Sequence, residues 1–152
     1  MAIPNQNTPE LDLRQIILDI SASEGWALLA NQVFVGGFQD DFYGNDYQIV
    51  IKAISSDINP KWQFDNFTFV ILVFGKNEMS KAEISNTSWA IHNALVGRDT
   101  TYLDTNNRSY QQFNSVVSPY DGGSTPEARP LYVQRISVNR QILTDENNRQ
   151  AL

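Results

Sequence analysis

The chain has 152 residues with one histidine and no cysteine, so the usual pairings of nucleophile and base reduce to His92. That residue follows Ile91 in a stretch with helical periodicity, and it reads as a partly exposed helix histidine rather than a general base. No G-x-S-x-G motif is present, and without cysteine there is no thiolate chemistry, disulfide, or Cys-based zinc or iron–sulfur site. Asp40, Asp41 and Asp46 could surround a hard cation. Their spacing is not that of an EF-hand and the closing glutamate is missing, so they read as a solvated turn. Gly36-Gly37 and Gly122-Gly123 lack the Lys and Ser/Thr of a phosphate-binding loop and read as turns. Carboxylates are plentiful, yet nothing singles out a pair with the geometry of glycoside hydrolysis. The expectation is no enzyme, no catalytic residue, no metal and no cofactor.

Aromatic residues offer more than titratable ones. Phe42, Tyr43, Tyr102, Tyr110 and Tyr120 fall at or near predicted loops, and tyrosine suits a surface that binds with one apolar side and one wet end. With Asp121 and Arg129, from the long interval between Pro119 and Pro130, they form the candidate interface set.

These residues must be held by a small number of elements. Thr8-Pro9-Glu10 is a helix start, with a capping hydroxyl, a proline at the first helical position and an acid that complements the dipole. Leu13, Ile16, Ile17 and Ile20 then recur at i, i+3, i+4 and i+7, and the helix is expected to end between Ser21 and Gly25. Trp26, Leu28 and Leu29 continue the apolar packing. Gln32–Val35 and Tyr47–Ile54 read as strands, with a polar turn carrying exposed aromatics, Phe38 to Asp46, between them. Asn66–Phe74 is apolar on both faces: Phe67, Phe69, Ile71 and Val73 point one way, and Val70, Leu72 and Phe74 the other.

A second helix, Ser80 to Val96, carries the capping box Ser80-x-x-Glu83, a stripe of Ile84, Ile91 and Leu95 with Trp89 beside it, and Gly97 at its end. Tyr110–Ser118 and Leu131–Ile142 read as strands, separated by an interval too long for a tight hairpin. The predicted fold is a single α+β domain, a mostly antiparallel sheet of about five strands with two helices packed on it. Residues 9–142 form the ordered core, and 143–152 a polar tail.

Composition narrows the partners. A formal net charge of −6 without a basic cluster argues against holding nucleic acid through its phosphates, since such binding scales with Lys and Arg contacts. Asn and Gln make up about one residue in six, spread along the chain, and read as neutral hydrogen-bonding surface. The first ten residues have neither a basic nor an apolar leader segment, and no later run has the length of a membrane span. Neither secretion nor a membrane is expected. The sequons at Asn66, Asn86 and Asn107 read as chance matches. Because the central strand is apolar on both sides and only two helices are available, burial against copies of the same chain is expected.

The stretch Val33-Phe-Val-Gly-Gly, the strand Phe67 to Phe74, the helix beginning Ser80-Lys-Ala-Glu and ending Leu95-Val-Gly97, and the closing Ala128-Arg-Pro-Leu-Tyr-Val-Gln-Arg-Ile-Ser-Val138 together resemble the tail terminator proteins of tailed bacteriophages, also grouped as minor capsid or head-tail joining proteins. The resemblance spans residues 9 to 142. It implies a virion structural protein: a ring, usually of six copies, that caps the tail tube, stops its polymerisation and joins the tail to the head connector. Its implied partners are further copies of itself, the tail tube protein and a head-tail connector or head-closure protein. Genomic DNA would pass through the ring without sequence-specific binding, and assembly would take place in the host cytoplasm. A head-completion or connector protein of the same neck is the near alternative, and a small carbohydrate-binding domain the distant one. The acidic turn Gln39 to Asp46 and the stretch Asp104 to Gln112 are particular to this chain.

Overall fold

Pro9 opens a helix because its missing N–H falls where no intrahelical bond is available, and Thr8 Oγ1 accepts from Leu11 N–H (3.3 Å). In the computed structural model this helix, α1, runs Pro9–Glu24. It ends at Gly25, whose φ of 72° is left-handed, with Gly25 N–H directed to Ala22 C=O and Trp26 N–H to Ser21 C=O. That is a Schellman stop, and glycine is what lets the chain turn there. The structure describes residues 8–26, 28–59, 64–76, 81–96, 101–103, 108–126 and 129–142. The expected cap at Ser80, the stop at Gly97, Trp62, the sequon at Asn107 and the tail 143–152 lie outside them.

Leu13, Ile16, Ile17 and Ile20 are all buried, each worth about 2 kcal/mol relative to exposure. A short 3-10 turn, Ala30–Gln32, leads into β1 (Val33–Val35). Then follow β2 (Tyr47–Asn59), β3 (Phe64–Gly75), α2 (Lys81–Leu95), β4 (Tyr102–Leu103), β5 (Arg108–Ser124) and β6 (Pro130–Ile142). The sheet order is β1-β2-β3-β6-β5-β4. Only β1 runs parallel to its neighbour; the other pairs are antiparallel. The domain is therefore α+β with one mixed, mostly antiparallel open sheet, and β3 lies inside it as its double apolar character requires.

Register decides which side each residue serves. Phe67, Phe69, Ile71 and Val73 of β3 stand beside Val138, Ile136, Gln134 and Tyr132 of β6, and this face carries the core with both helices. α1 packs on β1 and β2, and α2 on β3, β5 and β6. Ile84, Ile91 and Leu95 of α2 are buried as expected, joined by Ser88 and Ala94. Trp89, expected beside that stripe, is 42% exposed: it stands off the buried residues and packs edge-on against His92. Leu29 is likewise exposed, whereas Trp26 and Leu28 pack on the core. No helix among the described residues is long and apolar enough to cross a membrane.

The largest difference from expectation lies between Pro119 and Pro130. Most of that interval is strand, with Tyr120, Asp121 and Ser124 paired to Val133, Tyr132 and Pro130. The turn itself is short, held by Thr125 N–H to Arg129 C=O (2.9 Å) and Arg129 N–H to Thr125 Oγ1 (3.2 Å). β5 has 17 residues against the 13 of β6 and absorbs the excess in four register shifts. Bulges of this kind let Pro119 sit in a strand and Gln112 adopt φ 55°. Gly122 is a close-approach position and not merely a turn residue: a Cβ there would lie 2.9 Å from Val133 Cγ2.

Candidate functional site

The second face of the sheet carries no helix among the described residues. Across its middle, Lys52 of β2 stands beside Val70 of β3, Val70 beside Arg135 of β6, and Arg135 beside Val117 of β5. One row towards the β5–β6 turn are Val50, Leu72, Val133 and Tyr120; one row away are Ser55, Thr68, Ser137 and Asn114. Val70, Leu72 and Val133 are half-buried, while Lys52 and Arg135 are exposed. Neither cation has a salt-bridge partner among the described residues. Their alkyl stems flank Val70 with charged heads in water, a limited cover for an apolar strip.

The segment after β1 folds over one end of this face. Gln48 is buried, and its side-chain amide accepts from Gln39 N–H (2.9 Å) and donates to Gln39 C=O (2.8 Å). These two hydrogen bonds to the backbone pin the segment as a strand neighbour would. Phe38 then meets Phe74 and Phe42 edge-on, at 5.0 and 5.8 Å between centroids. The Arg129 guanidinium lies over both rings, 4.8 Å from Phe38 and 5.5 Å from Phe42, a cation–π arrangement. Phe42 is thus 6% exposed, which corrects the expectation of an exposed loop aromatic: the spare apolar end of the sheet draws the ring in.

Tyr43, next in sequence, is 53% exposed. It occupies the first central position of a turn closed by Asn45 N–H to Phe42 C=O (2.9 Å), with φ 50° followed by Gly44 at 80°. That is a type I′ turn, and a tyrosine there is held against its own backbone preference. Tyr43 N–H donates to Asp41 Oδ1 (2.7 Å). Asp40, Asp41 and Asp46 belong to this turn, and among the described residues no group of three His, Asp or Glu gathers as a metal site.

The remaining candidates separate. Tyr120 is exposed on the open face beside Val133. Asp121 points to the helical side, where Lys81 Nζ lies 2.6 Å away and Gly123 N–H donates to it at 2.8 Å; these contacts hold its carboxyl below the usual range, Lys81 contributing most. Tyr102 is half-buried and edge-on to Phe113. Tyr110 is buried at the opposite end of the sheet and donates to Asp12 of α1. A residue expected near a loop is thus a core tyrosine. Burial, then the Asp12 carboxylate, pushes its phenol far above the ordinary tyrosine range. Arg140 joins the cluster through Asp65 (2.6 Å) and lies over the Phe67 ring at 4.7 Å. Burial lowers its pKa, but Asp65 and Tyr110 outweigh that and raise it.

Phe42, Tyr43, Tyr120 and Arg129 therefore rim one end of the open face, whereas Tyr102, Tyr110 and Asp121 do not belong to it. Lys52 and Arg135 were not among the sequence candidates. The available signal was a cation among the alternating residues of each strand, Lys52 in β2 and Arg135 in β6, but their alignment across Val70 needs the register. A separate open groove of about 260 Å³ lies between Trp26, Leu28, Tyr47 and the α2 residues Asn86, Thr87, Ala90 and Ile91. Among the described residues no carboxylate, histidine or cation lines it. No protein-family model matches the chain, and no curated protein is similar to it.

Proposed function

We propose that this chain is a structural subunit of a tailed-phage particle, a tail terminator that assembles as a ring, caps the tail tube, stops its polymerisation and joins the tail to the head connector. The observation that carries the reading is the unequal covering of the sheet. Both helices lie on one face, while among the described residues Val70, Leu72 and Val133 on the other have only Lys52, Arg135 and the Phe38–Phe42 segment for cover. A second copy set on that face would complete the burial. The likeness of residues 9 to 142 to terminator proteins supports the choice of ring and of position at the neck. Six copies are proposed on that likeness. The net charge of −6 suits a ring through which DNA slides without being held.

The test is imaging and complementation. Purified protein is expected as monomers when dilute and as sixfold rings when concentrated or bound to tube ends. Particles made without it are expected to carry tubes of uncontrolled length that do not join heads. A reconstruction placing the chain outside the neck, or in an arrangement that is not a ring, overturns the proposal.

A further inference from the structure

Two buried polar side chains, Ser21 and Gln32, hold the backbone around the groove beside α2. Past the stop at Gly25, Trp26 N–H donates to Ser21 C=O (2.9 Å), and Trp26 C=O accepts from Ser21 Oγ (3.5 Å). Gln32 accepts from Leu29 N–H through Oε1 (2.9 Å) and directs Nε2 to Tyr47 C=O (3.4 Å). The segment carrying Trp26 and Leu28 is thereby tied to the start of β2, and the groove's walls are set before a ligand arrives. Trp26 and Tyr47 are half-buried. Neither ring meets another ring or a cation among the described residues.

The facing wall is one side of α2. Asn86 and Thr87 stand on one turn and Ala90 and Ile91 on the next, at i and i+4, so the wall passes from neutral hydrogen-bonding groups to apolar ones. A charged ligand would shed water here without a countercharge among the described residues. A hydrocarbon would leave unused the Asn86 amide, which both donates and accepts, and the hydroxyl beside it. The volume of about 260 Å³ lies below that of pockets for drug-sized molecules and suits one ring rather than a chain of them. We propose that the groove binds a single neutral sugar ring, its apolar face against Trp26 and Tyr47 and two neighbouring hydroxyls on Asn86 and Thr87. A pyranose joins a C–H face to a hydroxyl edge, and the groove offers an aromatic surface for the first and an amide with a hydroxyl for the second. The site goes beyond the ring reading and does not depend on it, since the groove lies on the helical side of the sheet.

Titration of the full chain with the methyl glycosides of glucose, galactose, mannose and N-acetylglucosamine tests this, followed by NMR of the nitrogen-labelled protein. At least one glycoside is expected to give saturable shifts at the Trp26 indole N–H and the Asn86 side-chain amide. Asn86→Ala/Thr87→Val alters an exposed and a half-exposed position; it is expected to keep the fold by circular dichroism and to weaken binding about tenfold, the worth of one or two neutral hydrogen bonds. Trp89→Phe changes an exposed aromatic of α2 that does not line the groove and should leave binding unchanged. Cyclohexanol and glucuronate stand for an apolar ring and a charged one, and both are expected to bind more weakly. Either of them binding as tightly as the best glycoside, undiminished affinity in Asn86→Ala/Thr87→Val, or no saturable shift with any glycoside overturns the proposal. Each of these results leaves the ring reading as it stands.

Discussion

At Tyr110 and Asp12, a buried phenol and carboxylate tie the first turn of α1 to β5, and Arg140 with Asp65 extends the cluster to β6 and β3. The phenol's raised pKa makes stability depend on alkaline pH. In the unfolded chain Tyr110 ionises near pH 10; in the folded chain it keeps its proton. Its contribution is fully present below about pH 10 and is lost as pH rises towards the folded value. Denaturant titrations from pH 8 to 11.5 should show stability falling less steeply for Tyr110→Phe than for wild type, with the variant less stable at pH 8 because Asp12 loses its buried donor. Equal slopes would place the alkaline loss in other groups. Neighbours in the rim should behave oppositely: Phe42→Ala is expected to cost about 3 kcal/mol, whereas Tyr43→Asn, at a left-handed position that Asn tolerates, should leave stability unchanged or raise it. Gln134 is buried with neither amide atom partnered among the described residues. Gln134→Leu is therefore expected to raise stability by about 1 kcal/mol; a lower midpoint of unfolding would show that the amide is satisfied in solution.

At the scale of elements, the β5–β6 hairpin changes what the 119–130 interval can tolerate. As a loose loop it could be exchanged for a short Gly/Ser link at 121–125 without loss. As a strand it contributes backbone pairing and the Lys81–Asp121 contact to α2. The exchange is now expected to lower the melting temperature measurably, and Gly122→Ala to do so by itself, because the added Cβ meets Val133 and Leu131. An unchanged melt for Gly122→Ala would mean that the hairpin shifts freely at this point. Deletion of residues 144–152 from the polar tail is expected to leave the melting temperature nearly unchanged and to impair docking to tube or head.

For the whole molecule, function is proposed to lie in surfaces, and the enzymatic alternative has a direct test. His92→Ala and Asp40→Asn/Asp41→Asn are expected to leave infectivity within a small factor when they complement a particle lacking this protein. Loss of infectivity with normal folding and assembly would return chemistry to those residues. Lys52→Glu/Arg135→Glu, in the same assay, should abolish complementation if the open face is a contact. The two outcomes together separate a reacting site from an assembling one.

Periodicity along the chain determined much of the architecture. The 3.6-residue recurrence of Leu13, Ile16, Ile17 and Ile20, the stripe of Ile84, Ile91 and Leu95, and the double apolar alternation of Phe67 to Phe74 are local patterns tied to local geometry, and both helices and the interior strand followed from them. The stop at Gly25 was legible for the same reason. Pairing across the sheet was not, because it depends on register between segments far apart in sequence. Hence Tyr110, opposite Arg140 and over Asp12, became core; Phe42 was drawn under Arg129; and the supposed loop after Pro119 became strand once β6 stood beside it. The alignment of Lys52, Val70 and Arg135 has the same origin. Sequence alone told that a second apolar face needs cover; the tertiary structure decided which charges border it, since only packed strands set residues 52, 70 and 135 side by side.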